Sequence, residues 1–443
     1  MQKNQSIIRR TEALCPVCKR RLPAAYVRDE QNICLWRHCP EHGDFSIPVW
    51  RNYFDFEEWV KNAPVLREGE NPACPSGCGL CADHKQGTCC VLLPITSRCN
   101  LACRYCFADP DRANDKPFDD IKESLKKLTV PGQTLVQLSG GEPTLREDLP
   151  DIVAEARKAG CSYVQLNSNG IRLAEDKALV EKLAKAGLSF VFLQFDSLDD
   201  AVYEKLRGRP LRVLKEQAIA NCSDYRIGVT LVPTLVPGVN TCEAGDITRF
   251  AVQHSPAVRG VHFQPVSYFG RSPVAPQSAP RYTLDELLYD IVSQSAGLLK
   301  ADDFSPSRCD HPLCGLHGDF IVMPDSSVIA LNQYRGAAET ACCGEQAACS
   351  GGPDAAAYAV ANAAAKNRAF VARYWQRSED DGDCCCGDLT DMEQFAARVK
   401  SHGFTITAMA FQDAATLDIA RLRQCSLHVY NDGKHVPFCA YYL

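Results

Sequence analysis

Residues 96–106 read TSRCNLACRYC and close the apolar run VLLPIT at 91–96. Cys99, Cys103 and Cys106 therefore form a C-x3-C-x2-C pattern just beyond a predicted strand. Thiolates are the ligands that iron–sulfur clusters use, and a complete [4Fe–4S] site takes four of them. Three close cysteines without a fourth nearby would leave one iron with an open coordination position, where a molecule could bind. A catalytic zinc site keeps one position open for the same reason.

A second motif, SGGEPT at 139–144, follows the next predicted strand. Gly140 and Gly141 lack side chains, so the backbone there can approach a ligand closely. Glu142 adds a carboxylate that could receive an ammonium group. The ends of later predicted strands carry further polar residues: Asn167, Asn169, Asp196 and Gln264. Each of these four could line a ligand site or could equally be a cap or turn residue.

Outward from these motifs, residues 91–300 alternate strand-like and helix-like segments. The predicted strands are 91–96, 133–138, 162–167, 189–195, 227–235 and 260–265. Apolar residues between them recur at three- and four-residue spacing, and Gly160, Gly187 and Gly208 stand where helices are expected to stop. The pattern predicts an α/β fold with a parallel sheet curled into a partial (β/α)6 barrel, whose chemistry lies at the carboxyl ends of the strands.

The composition sets limits on location and partners. The chain has 443 residues, a net charge of −6 and no long basic run, so nothing favours nucleic-acid binding. The N-terminal MQKNQSIIRR lacks an apolar stretch, so we expect no signal peptide. Since no run reaches about 18 apolar residues, we expect no transmembrane segment. Twenty-five cysteines in such a chain favour a cytoplasmic protein with metal-bound thiolates over disulfides.

A cysteine-rich loop lies just before the first predicted strand. Cys74, Cys78 and Cys81 repeat the C-x3-C-x2-C spacing, but no strand precedes them and no GGE turn follows. Cys89 can serve as a fourth thiolate, with Cys90 as a spare. A closed set of four thiolates suits an auxiliary iron–sulfur cluster, and zinc is the alternative.

The N-terminal region carries a different spacing. Cys15-x2-Cys18 and Cys39-x2-His42 form two knuckles, which is the ribbon arrangement of a tetrahedral metal site. Cys34 is a spare or alternative ligand. Zinc is the default metal, iron in a rubredoxin-like site is the alternative, and the role of either is expected to be structural.

The C-terminal region contains cysteines that spacing alone does not group. The scattered ones are Cys309, Cys314, Cys425 and Cys439, and the clustered ones are Cys342, Cys343, Cys349, Cys384, Cys385 and Cys386. Adjacent cysteines rarely all bind one ion. Cys384, Cys385 and Cys386 are therefore candidates for catalytic thiols that act on substrate or donate a hydrogen atom, and an incidental loop is the alternative.

The two central motifs together resemble the radical S-adenosylmethionine (SAM) superfamily. Longer strings resemble a group within it that contains archaeal tetraether lipid synthase and pterin-methylase-like proteins. These strings are CPEHG at 39–43, CPSGCGLCADHKQGTC at 74–89, TSRCNLACRYCFA at 96–108, LQFDSLDDAVYEKLRG at 193–208, SRCDHPLC at 307–314 and HVPFCAYYL at 435–443.

The resemblance implies a set of cofactors. Cys99, Cys103 and Cys106 would hold a [4Fe–4S] cluster whose open iron chelates SAM, and the GGE turn would contact the SAM amino group. The group also carries an N-terminal zinc or rubredoxin-like site and two auxiliary [4Fe–4S] clusters. The implied auxiliary ligands are Cys74, Cys78, Cys81 and Cys89 for the first cluster, and Cys309, Cys314, Cys425 and Cys439 for the second. An electron donor such as ferredoxin or flavodoxin would reduce the enzyme.

Four regions follow from this reading. They are a metal ribbon at 1–70, an auxiliary cluster loop at 71–90, the barrel at 91–300 and a C-terminal cysteine-rich auxiliary cluster domain at 301–443.

Two departures bear on the substrate. Pro94 stands where the lipid enzymes have an acidic residue, and the run 384–386 is instead similar to uncharacterised bacterial relatives of the TrsS type, some described as selenoproteins. The predicted reaction is carbon–carbon bond formation or methyl or sulfur transfer at unactivated carbon of a lipid, a small heterocycle or a peptide. An electron carrier without SAM chemistry and a zinc-scaffolded interaction module are the alternatives.

Overall fold

The computed structural model describes residues 6–61, 63, 74–75, 79–81, 83–108, 114–307, 309–331, 374–377 and 392–443. Several predicted positions lie outside the described residues. For the auxiliary loop this concerns Cys78. For the C-terminal clusters it concerns Cys342, Cys343, Cys349, Cys384, Cys385 and Cys386. The expectation that Cys384, Cys385 and Cys386 are catalytic thiols therefore stays a prediction.

The N-terminal module is a four-stranded antiparallel sheet in chain order. Its elements are β1 (Ser6–Leu14), β2 (Arg21–Asp29), β3 (Asn32–Cys39), β4 (Gly43–Trp50) and the short helix α1 (Phe56–Trp59). Trp50 is fully buried, and the ring centroid of Phe56 lies 5.9 Å from its own. This aromatic contact joins the helix to the sheet and gives the small module a core.

The centre of the molecule is a parallel sheet whose strands follow one another in chain order. The strands are β5 (Cys90–Thr96), β6 (Leu135–Gly140), β7 (Tyr163–Ser168), β8 (Phe190–Gln194), β9 (Gly228–Val232) and β11 (Val258–Pro265), with β10 (Thr234–Leu235) paired beside β11. All six predicted strands are present, which confirms the expected α/β barrel class. Most of their residues are buried on both faces, as in sheets covered by crossover helices.

The crossover helices cover the outside of this sheet. They are α2 (Phe118–Leu128), α3 (Leu149–Lys158), α4 (Ile171–Glu175), α5 (Lys177–Ala186), α6 (Asp200–Arg207), α7 (Arg212–Asp224), α8 (Ala244–Gln253) and α9 (Leu284–Gln294). Gly187 and Gly208 end α5 and α6 with φ of +93° and +85°, the left-handed conformation that glycine adopts at low cost.

The C-terminal region adds strands to both edges of the central sheet. Its elements are β12 (Ser305–Pro306), β13 (Gly315–Val322), β14 (Val328–Ala330), α10 (Met392–Ser401), β15 (Gly403–Met409), α11 (Ile419–Leu422), β16 (Leu427–Asn431), β17 (Lys434–Pro437) and α12 (Phe438–Tyr441). Strand β15 pairs parallel to β11, and β16 pairs parallel to β5. The four-region division remains a prediction, but these C-terminal strands belong to the same sheet as the barrel.

A short segment at 374–377 closes the amino end of the barrel. Trp375 packs edge-on against Phe192 with ring centroids 4.8 Å apart, and its indole N–H donates to the Thr405 hydroxyl at 2.8 Å. Gly228 lies beneath this segment, and a Cβ there would sit 2.1 Å from the Trp375 carbonyl oxygen. The barrel interior is therefore covered at the end opposite the cysteine loop.

Candidate active site

The loop after β5 places Cys99, Cys103 and Cys106 on the wall of one cavity. Backbone hydrogen bonds fix the loop: Cys106 N–H donates to the Arg271 carbonyl at 3.1 Å, and Arg271 N–H donates back at 2.9 Å. Asn169 at the end of β7 adds a side-chain bond to Asn100 at 2.7 Å. The three cysteines are therefore held over the carboxyl ends of the strands.

Burial disfavours the charged form of these thiols. Burial, together with the charges of Glu142, Cys103 and Cys106, raises the pKa of Cys99 to about 11. Burial also raises the pKa of Cys106. A bound cation reverses this preference because it stabilises the thiolate. Three such thiols around one space fit three corners of an iron–sulfur cluster.

The glycine turn is shaped by its close approach to the same loop. Gly140 has φ of +131°, and a Cβ on it would lie 2.0 Å from the Thr96 carbonyl oxygen. A Cβ on Gly141 would lie 2.2 Å from the Arg98 carbonyl oxygen. Gly141 N–H donates to Thr96 at 2.9 Å. No side chain fits at either position, so the turn and the cysteine loop can meet only with glycine.

Glu142 is buried, and its carboxylate is occupied by the protein itself. Its Oε1 accepts from the Thr144 backbone and hydroxyl and from the Ser168 hydroxyl, and its Oε2 accepts from the Asn169 N–H at 2.6 Å. An ammonium group of a ligand would have to share these oxygens. The observed contacts make Glu142 a brace that joins the ends of β6 and β7.

Asp196 does not line the cavity; it faces Arg207. The Arg207 guanidinium donates to both Asp196 oxygens, at 2.7 and 2.8 Å, and both side chains are buried. Burial alone would lower the pKa of Arg207, but the adjacent Asp196 charge outweighs it and raises the pKa. Arg207, which sequence reasoning did not select, lines the cavity close to Cys103. The sequence signal for Arg207 was the LRG at the end of the motif at 193–208.

A buried lysine lies behind this pair. The Lys215 ammonium donates to the Asn169 carbonyl and to Gln194 Oε1, the latter at 2.8 Å. Burial lowers its pKa to about 7. The Asn167 amide bonds Gln165 and Gln137. Lys215 and Asn167 thus belong to two sets of polar contacts in the barrel interior.

The cavity has a volume of about 420 Å³ and runs the length of the barrel. Alternate residues of β6, namely Leu135, Gln137 and Ser139, line it. From residue 135 to residue 140 a strand extends roughly 17 Å. The carboxyl end of the cavity holds the three cysteines, and the amino end is walled by Phe192, His262 and Trp375. The predicted Gln264 also lines it.

The N-terminal ligand set is brought together in the structure. Single ligand atoms of Cys15, Cys18, Cys39 and His42 all lie within 4.8 Å of one another. Cys18 Sγ is 3.9 Å from Cys39 Sγ, which is 3.4 Å from His42 Nδ1. Tetrahedral zinc with its usual bond lengths requires separations of roughly 3.8 Å between sulfurs and roughly 3.5 Å between sulfur and nitrogen. The four residues therefore fit zinc, with Nδ1 as the histidine ligand atom.

The upstream cysteine loop packs against the C-terminal region. Cys89 N–H donates to the Ser426 carbonyl at 2.8 Å, and Lys85 N–H donates to the Arg423 carbonyl at 2.7 Å. Cys89 Sγ lies 3.9 Å from Cys309 Sγ. The family resemblance assigns these two cysteines to different clusters, and their sulfur atoms are in contact in the structure. Cys74 and Cys81 belong to the same loop.

The remaining C-terminal cysteines, far apart in the chain, come together in the fold. Cys314, Cys425 and Cys439 lie close enough for their charges to act on one another. Burial raises the pKa of Cys439 to about 12. Arg421 approaches Cys314 Sγ at 3.6 Å, and the Gln412 N–H donates to Cys439 Sγ at 3.2 Å. Hydrogen bonds of this kind are common around metal-bound sulfur.

Comparisons with known proteins agree with this architecture. Residues 93–251 match the model of the radical SAM superfamily, and residues 7–51 match that of the HMPTM N-terminal zinc ribbon domain. The chain is 31% identical to the 7,8-dihydro-6-hydroxymethylpterin dimethyltransferase of Methanocaldococcus jannaschii, over 98% of this chain and 93% of that protein. It is 30% identical to a GTP 3′,8-cyclase of Lactiplantibacillus plantarum, over 40% of this chain and 54% of the cyclase.

Solved structures give a weaker likeness. The crystal structure of Streptococcus suis SuiB bound to its precursor peptide SuiA matches 48% of this chain and 47% of SuiB, at 17% identity and a TM-score of 0.38. Within the described part of the chain, no helix is both long and apolar enough to cross a membrane.

Proposed function

Because the chain belongs to the radical SAM family that includes 7,8-dihydro-6-hydroxymethylpterin dimethyltransferase, we propose that it cleaves SAM reductively and alkylates a small nitrogen heterocycle. The heterocycle class is that of the reduced pterins named for the relative. The observation that carries the proposal is the single covered cavity joining the three cysteines to the polar and aromatic interior of the barrel.

Cys99, Cys103 and Cys106 would hold a [4Fe–4S] cluster, which would supply the electron that splits SAM into methionine and a 5′-deoxyadenosyl radical. The residues of the chain position SAM. Gly140 and Gly141 let backbone carbonyls approach it, and Arg207 supplies a cavity-facing cation next to its site. A guanidinium is a suitable partner for the SAM carboxylate. Asp196 holds the Arg207 guanidinium in place.

The closed amino end of the barrel favours a compact ligand over a long alkyl chain. Trp375 closes the amino end, and about 420 Å³ is within the range of pockets for compact ligands. Gln137 and Gln264 provide amide groups along the wall, which suit a ring that carries N–H and carbonyl groups. A long alkyl chain would leave the Gln264 amide unpaired, and burying an unpaired polar group costs free energy.

The other metal sites are assigned supporting roles. Cys15, Cys18, Cys39 and His42 would hold a structural zinc. The loop containing Cys74, Cys81 and Cys89 and the region containing Cys309, Cys314, Cys425 and Cys439 would hold the two auxiliary [4Fe–4S] clusters. Their placement beside the cavity wall suits electron transfer to or from the reaction, with ferredoxin or flavodoxin as the external donor. Cys384, Cys385 and Cys386 remain candidates for substrate-directed thiols.

The test uses the full chain, reconstituted without oxygen, reduced, and incubated with SAM and 7,8-dihydro-6-hydroxymethylpterin. SAM is supplied in excess because one SAM is cleaved to methionine and 5′-deoxyadenosine, and each transferred methyl group requires a further SAM that leaves as S-adenosylhomocysteine. We expect 5′-deoxyadenosine, and a pterin product heavier by one or more methyl groups in mass spectrometry. Replacing Cys99, Cys103 and Cys106 by alanine should abolish both products, whereas Cys242→Ala, at an exposed cysteine, should abolish neither. Nucleoside formation that no pterin alters, with no pterin product, would contradict the proposed substrate.

A further inference from the structure

One arrangement of the hydrogen bonds around His262 leaves a nitrogen of its ring free to accept. His262 Nδ1 lies 2.8 Å from the Thr407 hydroxyl oxygen, and the same oxygen lies 3.5 Å from the Val261 carbonyl oxygen. With the hydroxyl proton directed at the Val261 carbonyl, the hydroxyl oxygen is the acceptor for Nδ1–H. In a neutral imidazole this leaves Nε2 without a proton and with its lone pair available.

The ring is neutral and opens onto the cavity. Burial lowers the pKa of His262 to about 4, so the imidazole is uncharged near neutral pH. The residue lines the cavity, and Nε2 has no hydrogen-bond partner among the described residues. It is also absent from the buried polar atoms that lack partners, which places it against cavity space and not against packed side chains.

Neighbouring rings hold the imidazole in place. The Phe192 ring lies 5.5 Å from the His262 ring, tilted by 37°, and Trp375 packs against the same phenylalanine. Because Thr407 fixes one edge of the imidazole and Phe192 one face, the direction of the Nε2 lone pair is set before any ligand binds. A preorganised acceptor discriminates more sharply than a mobile one.

From this arrangement we propose that His262 is a specificity-determining residue, whose Nε2 accepts a hydrogen bond from a ring N–H or amino group of the heterocyclic substrate. The assignment rests on the proposed function and adds to it the group that recognises the ring. Its consequence is a requirement for a donor on the substrate edge that faces β11. A ring with only acceptors there would leave the imidazole nitrogen buried and unpaired, which costs free energy.

The test measures binding, by calorimetry, to the cluster-loaded chain in the presence of SAM. The probes are 7,8-dihydro-6-hydroxymethylpterin, its N3-methyl analogue and its 2-desamino analogue, each analogue lacking one donor. We expect the wild type to bind the parent roughly tenfold more tightly than one of the analogues. His262→Phe should lose that preference, and His262→Gln, which can present an amide oxygen, should recover part of it. A full preference in His262→Phe would overturn the assignment.

A second measurement separates this assignment from the proposed function. Nitrogen-15 shifts of ring-labelled histidine, assigned by comparison with His262→Phe, report which ring nitrogen carries the proton. An unprotonated Nε2 supports the acceptor role, and a protonated Nε2 overturns it, whether or not pterins bind. Failure of the wild type to bind any of the three pterins, with SAM still bound, would instead contradict the proposed substrate class.

Discussion

The hydroxyl of Thr11 donates a hydrogen bond to the carboxylate of Asp418 at 2.6 Å, although 407 positions separate the two residues. Tyr26 donates to the other oxygen of the same carboxylate. Asp418 also caps α11 by accepting from the Ala420 N–H at 2.7 Å. One buried carboxylate therefore joins the N-terminal ribbon to the helix whose Arg421 approaches Cys314.

Replacing Asp418 should destabilise the protein strongly. Asp418→Ala leaves two buried hydroxyl groups without their acceptor and removes a helix cap, so we expect the free energy of unfolding to fall by about 3–5 kcal/mol. Denaturant unfolding measures this loss. Asp302→Ala, at an exposed position, should change the same quantity by less than about 0.5 kcal/mol. Equal effects of the two substitutions would show that the Asp418 contacts contribute little.

Loss of a zinc ligand in the N-terminal ribbon should remove zinc without removing iron. Cys18→Ser removes a ligand of the N-terminal set, so we expect one zinc fewer per chain with the iron content unchanged. Because the ribbon contacts Asp418, hydrogen exchange should also quicken in α11. Metal analysis and exchange mass spectrometry provide the two readouts. Cys34→Ser, at a buried cysteine outside the four-residue set, is the matched control and should keep its zinc.

The close contact between the glycine turn at residues 140–141 and the cysteine loop can be tested by substitution. In Gly141→Ala the new methyl group would sit 2.2 Å from the Arg98 carbonyl oxygen, so the cysteine loop must shift. We expect SAM affinity to fall at least tenfold by equilibrium binding, with the ribbon still folded. Gly132→Ala meets no atom within 4 Å and carries strain only from its φ of +73°. It should cost about 1–2 kcal/mol of stability and leave SAM binding intact.

Arg207 and Asp196 form a buried pair whose disruption should be costly. Arg207→Met leaves the Asp196 carboxylate buried without its partner, and we expect a loss of about 3–5 kcal/mol in unfolding free energy together with weaker SAM binding. Arg212→Met breaks an exposed pair with Glu216 and should cost below about 1 kcal/mol. If SAM binding survives in a folded Arg207→Met protein, the role of Arg207 in holding SAM is wrong.

The buried imidazole should make stability depend on pH. His262 has a pKa of about 4 in the folded protein and about 6.5 when unfolded. Between these values the unfolded chain binds more protons, so this residue lowers the free energy of unfolding as pH falls from 6.5 to 4. Above pH 7 the contribution is constant. Urea unfolding at a series of pH values gives the free energy of unfolding of wild type and of His262→Phe. The difference between the two proteins should change only between pH 4 and pH 6.5, and a difference that stays constant there would contradict the pKa shift. His38→Phe, at an exposed histidine, controls for loss of an imidazole.

Much of the barrel could be predicted because its signals are local. The strand at 91–96 is a short apolar run, and Gly187 and Gly208 end helices where the pattern expected. The turn at Gly140 and Gly141 also follows from local chemistry, since only glycine permits the approach to Thr96 and Arg98. The ribbon set could be grouped because its knuckles have a recognisable spacing.

Other parts of the site depend on non-local contacts. Residues 260–265 are predicted as a strand, but in a sheet buried on both faces the sequence does not reveal which residues point inward. His262 was therefore not singled out. Arg207 lies at a helix end, and only the fold brings it beside Cys103. The pairing of β15 with β11 and of β16 with β5 could not be predicted either, because the pattern of a strand does not show which strand it pairs with.

The placement of β16 beside β5 has a consequence for how the protein is made. The first strand of the barrel leaves the ribosome more than 300 residues before the strand that covers its edge, so the nascent barrel stays open on that side until residues 427–431 have been made. A chain truncated before residue 427 would be expected to keep its barrel edge uncovered and to pair with other chains through it.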